Sequence, residues 1–460
     1  MQWILANACS CGNGDLDEAG GVEKIGSSIK NPGPPKLDNA SQQEPAVKKD
    51  GKTEPCKEDT ADTSNGQYDY QPLNGDEPEE PLEVQSSDQV VADVVKPPTP
   101  KDADTFCEVK DGKFNPLSAM LPSVKELIRQ TANKDDIFDL AEHQFCAFGT
   151  ISPNNKGNAT IESEYTEKRL EISGASRSDD FHIALANRGV AISCKKAKKP
   201  EMPNQDNIFL CTMGDFTLFG VADGHGPEGH WSSHYVVRYV LRLFMAEIAK
   251  TGSPPGDDAC IKIFELIHRA VGVQSEDSHQ DVTYSGSTLT VCVVDHCKKQ
   301  VLVAWAGDSR AAIGTVGGAN GVALTHDHKP NDDKEQERIE SQGGEVSRVD
   351  EDSPWRVYMK GKGAPGLAMS RSVGDNCGHS VGVSCVPDIK RFKATNHFVL
   401  CCSDGVWEFI SDREAVQIVG EAGRQGIKLS LEELTRESYI RWIQEEEDST
   451  DDISAICVYV

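Results

Sequence analysis

Phe219-Gly-Val-Ala-Asp-Gly-His-Gly226 decides the reading of this chain: an apolar run ends on a carboxylate, and a glycine and a histidine follow at once. The β-branched and aromatic residues of Phe216–Ala222 are those of a strand buried on both faces. An acid at its end is aimed rigidly rather than left to wander. The same arrangement recurs in Ala304-Trp-Ala-Gly-Asp-Ser-Arg310, where Asp308 ends a strand, and in Leu400-Cys-Cys-Ser-Asp-Gly-Val-Trp407, where Asp404 does. In Thr450-Asp-Asp-Ile-Ser454, Asp451 and Asp452 instead open the last strand. One Asp-Gly is ordinary turn chemistry. Four strand-terminal acids are another matter, because converging carboxylates repel unless cations neutralise them. Hard divalent ions such as Mg²⁺ and Mn²⁺ take such oxygen ligands. The glycines after Asp223 and Asp404 allow close backbone approach, and the Gly224 carbonyl is itself a candidate ligand.

Further strands are expected at Thr288–Val294, Val301–Ala306, His397–Cys402 and Ile453–Val460, with a hairpin turn over Asp295 to Lys299. Val237, Leu241, Phe244 and Ile248 share one face of a helix. Ser411 with Glu414, and Ser430 with Glu433, have the spacing of helix-start capping boxes. Helices fall between clusters of strands without regular βαβ alternation, so the fold class is α+β with antiparallel sheets.

Upstream the character changes. Residues 1–105 contain 11 of the 23 prolines and only Trp3, Tyr68 and Tyr70 as aromatics, within polar, acid-rich sequence. Such a segment cannot bury enough apolar area to offset an ordering entropy of about 1–2 kcal/mol per residue. It is expected to be a disordered acidic tail. Residues 106–180 read as a partly helical extension, with Leu121, Val124, Leu127 and Ile128 in helical register and a polar loop over Ser152 to Lys168. The compact domain is expected over 181–460.

Across 460 residues, 47 Lys and Arg stand against 74 Asp and Glu, a net charge of −27. That balance argues against nucleic-acid partners and anionic membrane surfaces, which need clustered basic residues. No apolar run approaches the roughly 20 residues that span a bilayer. The fifteen cysteines follow no framework spacing and read as reduced thiols. A cytoplasmic or nuclear location is expected. Cys9 and Cys11, beside the short apolar start Met1-Gln2-Trp3-Ile4-Leu5, leave acylation and membrane tethering as the alternative; Gln2 excludes N-myristoylation.

Seven blocks occur in one order: Asp-Gly-His-Gly (223–226), Ser285-Gly-Ser-Thr-Leu289, Ala306-Gly-Asp-Ser-Arg310, Asp327-His-Lys-Pro330, Leu367-Ala-Met-Ser-Arg-Ser-Val-Gly-Asp375, Ser403-Asp-Gly-Val-Trp407 and Asp451-Asp-Ile-Ser454. Together they closely resemble the metal-dependent serine/threonine protein phosphatases of the 2C type, over residues 181–460. The resemblance implies an α-β-β-α sandwich, two antiparallel sheets flanked by helices, with two Mg²⁺ or Mn²⁺ ions at one end. It implies that Asp223 bridges both ions and that the Gly224 carbonyl binds one of them. Asp404 and Asp451 complete the other. Asp206 serves where the family often has Glu-Asp, with Gln205 in place of the first acid. Asp308, Asp375 and Glu408 match positions near a weaker third cation, and Thr288 a threonine beside the site.

The implied reaction is hydrolysis of phosphoserine and phosphothreonine monoesters on proteins by a hydroxide bridging the two metals, with His225 as proton donor to the leaving oxygen. Phosphoprotein substrates and a monomeric enzyme are expected. The family's phosphate-binding arginine has no clear counterpart; among Lys195, Lys196, Lys198 and Lys199, Lys199 is the choice. Arg310 is expected to pair with neighbouring acids. A cysteine-phosphatase loop is absent, since Cys385 and Arg391, the pair at its spacing, enclose no glycine. The rival reading is a catalytically dead relative acting as a scaffold. The segment between Arg310 and Leu367 is expected to include a flap that selects substrates.

Overall fold

The computed structural model describes residues 121–152, 163–173, 178–199, 202–318, 321–447 and 449–460. The tail over 1–105, with Cys9 and Cys11, lies outside them. The strand runs behave as their composition dictates. In His397–Cys402, Val399 and Cys401 turn to one side, while Phe398, Leu400 and Cys402 turn to the other. Both sides are buried, so the run shows no polar alternation. The same holds for Leu289–Asp295 and Ile453–Tyr459.

Two antiparallel sheets result. One has the spatial order Asp388–Lys393, Gln300–Ala306, Leu289–Asp295, Phe216–His225, Asp206–Met213, Phe145–Gly149 and Leu170–Ser173. The second runs Val322–Ala323, Arg310–Thr315, His397–Cys402, Ile453–Tyr459 and Val190–Lys195. Their facing sides share a core that includes Ile208, Leu210, Phe219, Val221, Trp305, Ile313, Val399 and Ile456. The outer face of the first sheet is covered by Gly229–Thr251 and Asp257–Ser278; Val237, Leu241, Phe244 and Ile248 are all buried there. Asp412–Glu421 and Gly423–Glu446 cover the second through Val416, Val419, Leu431 and Leu434. At about 1.5–3 kcal/mol per buried large apolar side chain, these three layers dominate the folding energy. This is the expected α-β-β-α sandwich.

The segment after Arg310 forms its own small unit. Helix Asp333–Ser341 and strands Gly344–Ser347, Arg356–Met359 and Pro365–Leu367 enclose Ile339, Val346, Val357 and Leu367. Glu335 ties it down: its carboxylate meets Arg371 at 2.7 Å and Arg338 at 2.8 Å.

Two details differ from expectation. Phe145–Gly149, within the stretch read as helical, is a strand paired with Asp206–Met213, so the sandwich reaches upstream of residue 181. Its partner lies some sixty residues away in sequence, and local periodicity cannot report such pairing. Helix Val124–Gln130 does form, capped by Ser123. Ser430 starts no helix; it sits inside Gly423–Glu446, where its hydroxyl donates to the Ile427 carbonyl. Ser411 caps as expected, accepting from the Glu414 N–H. No helix among the described residues is long and apolar enough to cross a membrane.

Candidate active site

The sheets end together at one edge of the sandwich, and the acids meet there. Asp206 opens one strand and lies directly across from Asp223, near the end of its neighbour. From the second sheet, Asp404 lies two residues past the end of His397–Cys402 and starts helix Asp404–Trp407, while Asp451 just precedes Ile453–Tyr459. Gly224 has no room for a side chain: a Cβ would lie 2.2 Å from the Gly229 carbonyl oxygen and 2.5 Å from that of Gln205. Gly405 is equally confined, its Cβ position 2.0 Å from the Asp452 carbonyl oxygen. The two glycines let the backbone segments that carry the acids approach closely within each sheet.

Burial and mutual repulsion set the electrostatics. Asp206 is buried; Asp223, Asp404 and Asp451 are partly open to solvent. Burial first, then the charges of Asp206, Asp404 and Asp451, push Asp223 well above the usual carboxylate range. Burial and Asp452 do the same to Asp206. Asp404, raised by burial, Asp451 and Asp308, is pushed up to about 7. The Asp223 and Asp404 carboxyl groups lie within hydrogen-bonding reach of each other. Buried Oδ1 atoms of Asp404, Asp308 and Asp375 have no hydrogen-bond partner among the described residues. Oxygen donors that are crowded, like-charged and partly unpartnered fit hard divalent cations. Asp206, Asp223, Asp404 and Asp451, with the Gly224 carbonyl, are the residues that would hold them.

Asp451 and Asp452, adjacent in sequence, have different surroundings. Asp452 accepts from the Ala197 N–H at 2.6 Å and the Gln205 N–H at 2.8 Å, which knits the two sheets together. Asp451 meets the Lys199 ammonium at 2.6 Å. Burial pulls the Lys199 pKa down, but Asp451, Asp452 and Asp223 hold it above the ordinary value. Of the basic cluster, Lys195 pairs with Glu167 and the Lys196 ammonium donates to backbone carbonyls. Gln205 donates its side-chain amide to the Gly226 carbonyl at 2.6 Å.

His225 is held beside the acids. Its Nε2 lies 2.6 Å from Asp375 Oδ2, the oxygen to which the Ser372 hydroxyl also donates. Burial lowers the pKa of His225, but Asp375 more than compensates and the net shift is upward. Thr288 supports Asp223 from behind, accepting its N–H at 3.0 Å and lying 2.6 Å from the Ser309 hydroxyl. Asp308 pairs with Lys329 at 2.7 Å. Glu408, exposed at the end of helix Asp404–Trp407, makes no carboxylate contact to this cluster among the described residues. His234 is structural, with Nδ1 3.2 Å from the Gly149 carbonyl oxygen. Arg310 pairs with Asp327 and Asp412, as expected.

Some participants carry signals in the sequence that went unassigned. Lys329 lies in the Asp327–Pro330 block. Ser403, directly before Asp404, donates to Asp206 at 2.6 Å. Lys168 has no local signal; its buried ammonium donates to the Asp206 and Asn204 carbonyls. A second group, His326, His328 and Asp388, lies within 4.8 Å and offers two imidazoles and a carboxylate. Its members pair with each other and with Arg371: His326 Nε2 lies 3.3 Å and His328 Nε2 3.6 Å from Asp388. The Gly307 N–H donates to His328 Nδ1, which leaves the neutral ring's proton on Nε2, and Arg371 pairs with Asp388 at 2.7 Å. We read it as an ion-pair cluster.

Comparison with known proteins agrees with this fold. The sequence model of the protein phosphatase 2C family matches residues 215–442. The chain is 31% identical over 328 residues to "Probable protein phosphatase 2C 72" of Arabidopsis thaliana, covering 67% of this chain and 96% of the relative. It is 34% identical over 255 residues to "Probable protein phosphatase 2C 64" of Oryza sativa subsp. japonica, spanning 54% of this chain and 59% of that relative's length. In fold it is similar to the crystal structure of serine-threonine phosphatase 2C from Toxoplasma gondii, with TM-score 0.51 and 24% identity over 59% of this chain and 94% of the other. The chain belongs to the protein phosphatase 2C family of metal-dependent hydrolases.

Proposed function

We propose that this chain hydrolyses phosphoserine and phosphothreonine monoesters on proteins, using two Mg²⁺ or Mn²⁺ ions. The observation that supports it best is the convergence of Asp206, Asp223, Asp404 and Asp451 from two sheets beside His225. Held by Asp206, Asp223, Asp404, Asp451 and the Gly224 carbonyl, two divalent cations would lower the pKa of water to supply the hydroxide nucleophile that the resemblance implies, and would offset the charge of a phosphate dianion in an acidic protein.

The chain's own residues do the rest. Asp375 and Ser372 fix the His225 ring, and the raised pKa keeps it protonated closer to neutral pH. With Nε2 on Asp375, Nδ1, buried and without a partner among the described residues, is the edge left to protonate the leaving oxygen. Lys199, on Asp451, supplies positive charge beside the acids for the incoming phosphate. Asp308 and Asp375, each with an unpartnered oxygen, are the positions for a weaker third cation. The small unit around Ile339 and Val357 serves as the substrate-selecting flap. Phosphopeptide hydrolysis by the full chain with and without Mn²⁺ tests the proposal; a folded chain with no turnover above the metal-free control would favour a scaffold.

A further inference from the structure

The sandwich has a second polar concavity, at the opposite end from the acids. Asp206 and Met213 are the two ends of one strand, seven residues apart, or about 23 Å at roughly 3.3 Å per residue. At the Met213 end, a cavity of about 310 Å³ is lined by Arg188, Arg424, His296, Gln144, Asn187 and Thr217, among others. None of its lining residues is acidic. In a chain of net charge −27, that is the reverse of what composition favours.

The two arginines are placed, yet unneutralised. Arg424 donates through Nη2 to the Arg188 carbonyl at 2.6 Å. Its guanidinium lies so close over Gly189 that a Cβ there would sit 2.6 Å from Nε, and Gly189 has a φ of 74°. Both features fix Arg424 at the rim. The Arg188 guanidinium lies 4.8 Å from the centre of the Phe145 ring. Among the described residues, neither guanidinium pairs with a carboxylate. The nearby acids are engaged: Asp295 accepts from the Lys298 N–H and pairs with its ammonium at 3.4 Å, and Asp215 interacts with Cys297. His296 Nε2 is taken up by the Thr217 hydroxyl at 2.9 Å, which orients the ring.

Two guanidinium forks that share a concave wall with a histidine and neutral amide and hydroxyl groups match a dianion. We propose that this cavity binds a phosphate group, either free or carried by a small molecule, at a site separate from the catalytic edge. The volume exceeds what a bare phosphate fills, so a small phosphorylated molecule also fits.

The test is binding of inorganic phosphate, and separately of a sugar monophosphate, to the full chain in EDTA, where the catalytic acids hold no cation and repel anions. Saturable binding of either probe is expected, weakened at least tenfold in Arg188→Ala/Arg424→Ala and unchanged in Asp223→Asn. Tighter binding of the sugar monophosphate would assign the site to a carried phosphate, and equal binding to the phosphate group itself. Retained Mn²⁺-dependent hydrolysis of an aryl phosphate shows that the double variant is folded. Independently of any variant, phosphate should shift the His296 ring resonances and leave those of His225 in place. No saturable binding by the wild type, equal binding by the arginine variant, or a shift at His225 without one at His296 would overturn the proposal.

Discussion

Asp206 and Asp223 face each other across adjacent antiparallel strands, two carboxylates at a position where opposed like charges destabilise a sheet. The fold tolerates the pair because Ser403 donates to Asp206, Thr288 holds the Asp223 backbone, and a cation is the natural partner for the remaining charge.

Asp223→Asn should lower metal-dependent turnover on the order of 10²–10³-fold or more, the scale for losing a group that stabilises developing charge. The fold should persist, because the carboxylate serves the cations rather than the core. Circular dichroism and phosphate release at saturating Mn²⁺ measure both; wild-type turnover in a folded variant would remove Asp223 from the centre.

The same variant gives a pH test. In the metal-free chain the folded-state pKa values of Asp223, Asp206 and Asp404 are raised, Asp404 to about 7. A carboxyl with a raised folded pKa costs no stability below its unfolded value near 4 and progressively more as pH rises through the folded value. Asp223→Asn relieves that repulsion. In EDTA its melting temperature should therefore gain on the wild type as pH goes from 5 to 8, and saturating Mn²⁺ should reverse the order. A difference that shrinks over that range would contradict the assigned electrostatics.

Removing the proton donor should discriminate between leaving groups. His225→Ala should slow hydrolysis of a phosphoserine peptide by about 10²–10⁴-fold. An aryl phosphate with an acidic phenol needs less protonation and should lose much less. Equal losses on both substrates, measured as kcat, would mean that His225 is not the acid.

Gly224→Ala puts a methyl group against two backbone carbonyls, and neither can swing aside as a flexible side chain would. Overpacking of this kind costs roughly 1–3 kcal/mol. The larger effect should be on Mn²⁺ affinity, since the strands carrying Asp206 and Asp223 must separate. Calorimetric titration should show weaker metal binding, and unchanged affinity would refute the close-approach argument.

Glu335→Ala should destabilise the chain by roughly 1–3 kcal/mol, because Arg338 loses its carboxylate partner and Arg371 keeps only Asp388. Burial raises the Glu335 pKa, but the two guanidinium groups win and hold it well below the ordinary value. Its contribution is fully present above pH 4–5 and is lost progressively as pH falls from the unfolded value through the depressed folded one. The difference in urea midpoint between variant and wild type should be largest at pH 7 and smaller, but still present, at pH 3.

Much of this was legible in the residues. The apolar runs ending on Asp223, Asp308 and Asp404 announced both the strands and the aimed acids, because a strand buried on both faces leaves little choice of residue. The roles of Asp451 and Asp452 were not separable locally: both are acids before one strand, and only the approach of Ala197 and Gln205 shows that Asp452 is structural. Phe145–Gly149 was hidden because its partner strand is remote. Ser430 had a cap's spacing without a cap's place, inside a helix that begins seven residues earlier, at Gly423. Among the four clustered lysines the sequence reading chose Lys199 without a local reason; the fold sets its ammonium on Asp451.

The most direct measurement is phosphate release from a phosphothreonine peptide by the full chain and by Asp223→Asn, titrated with Mn²⁺ from an EDTA-treated start. The account predicts no turnover without metal, saturable activation of the wild type, and little activity of the variant at any Mn²⁺ concentration. Metal-independent turnover, or a folded Asp223→Asn chain that Mn²⁺ activates as fully as the wild type, would contradict it.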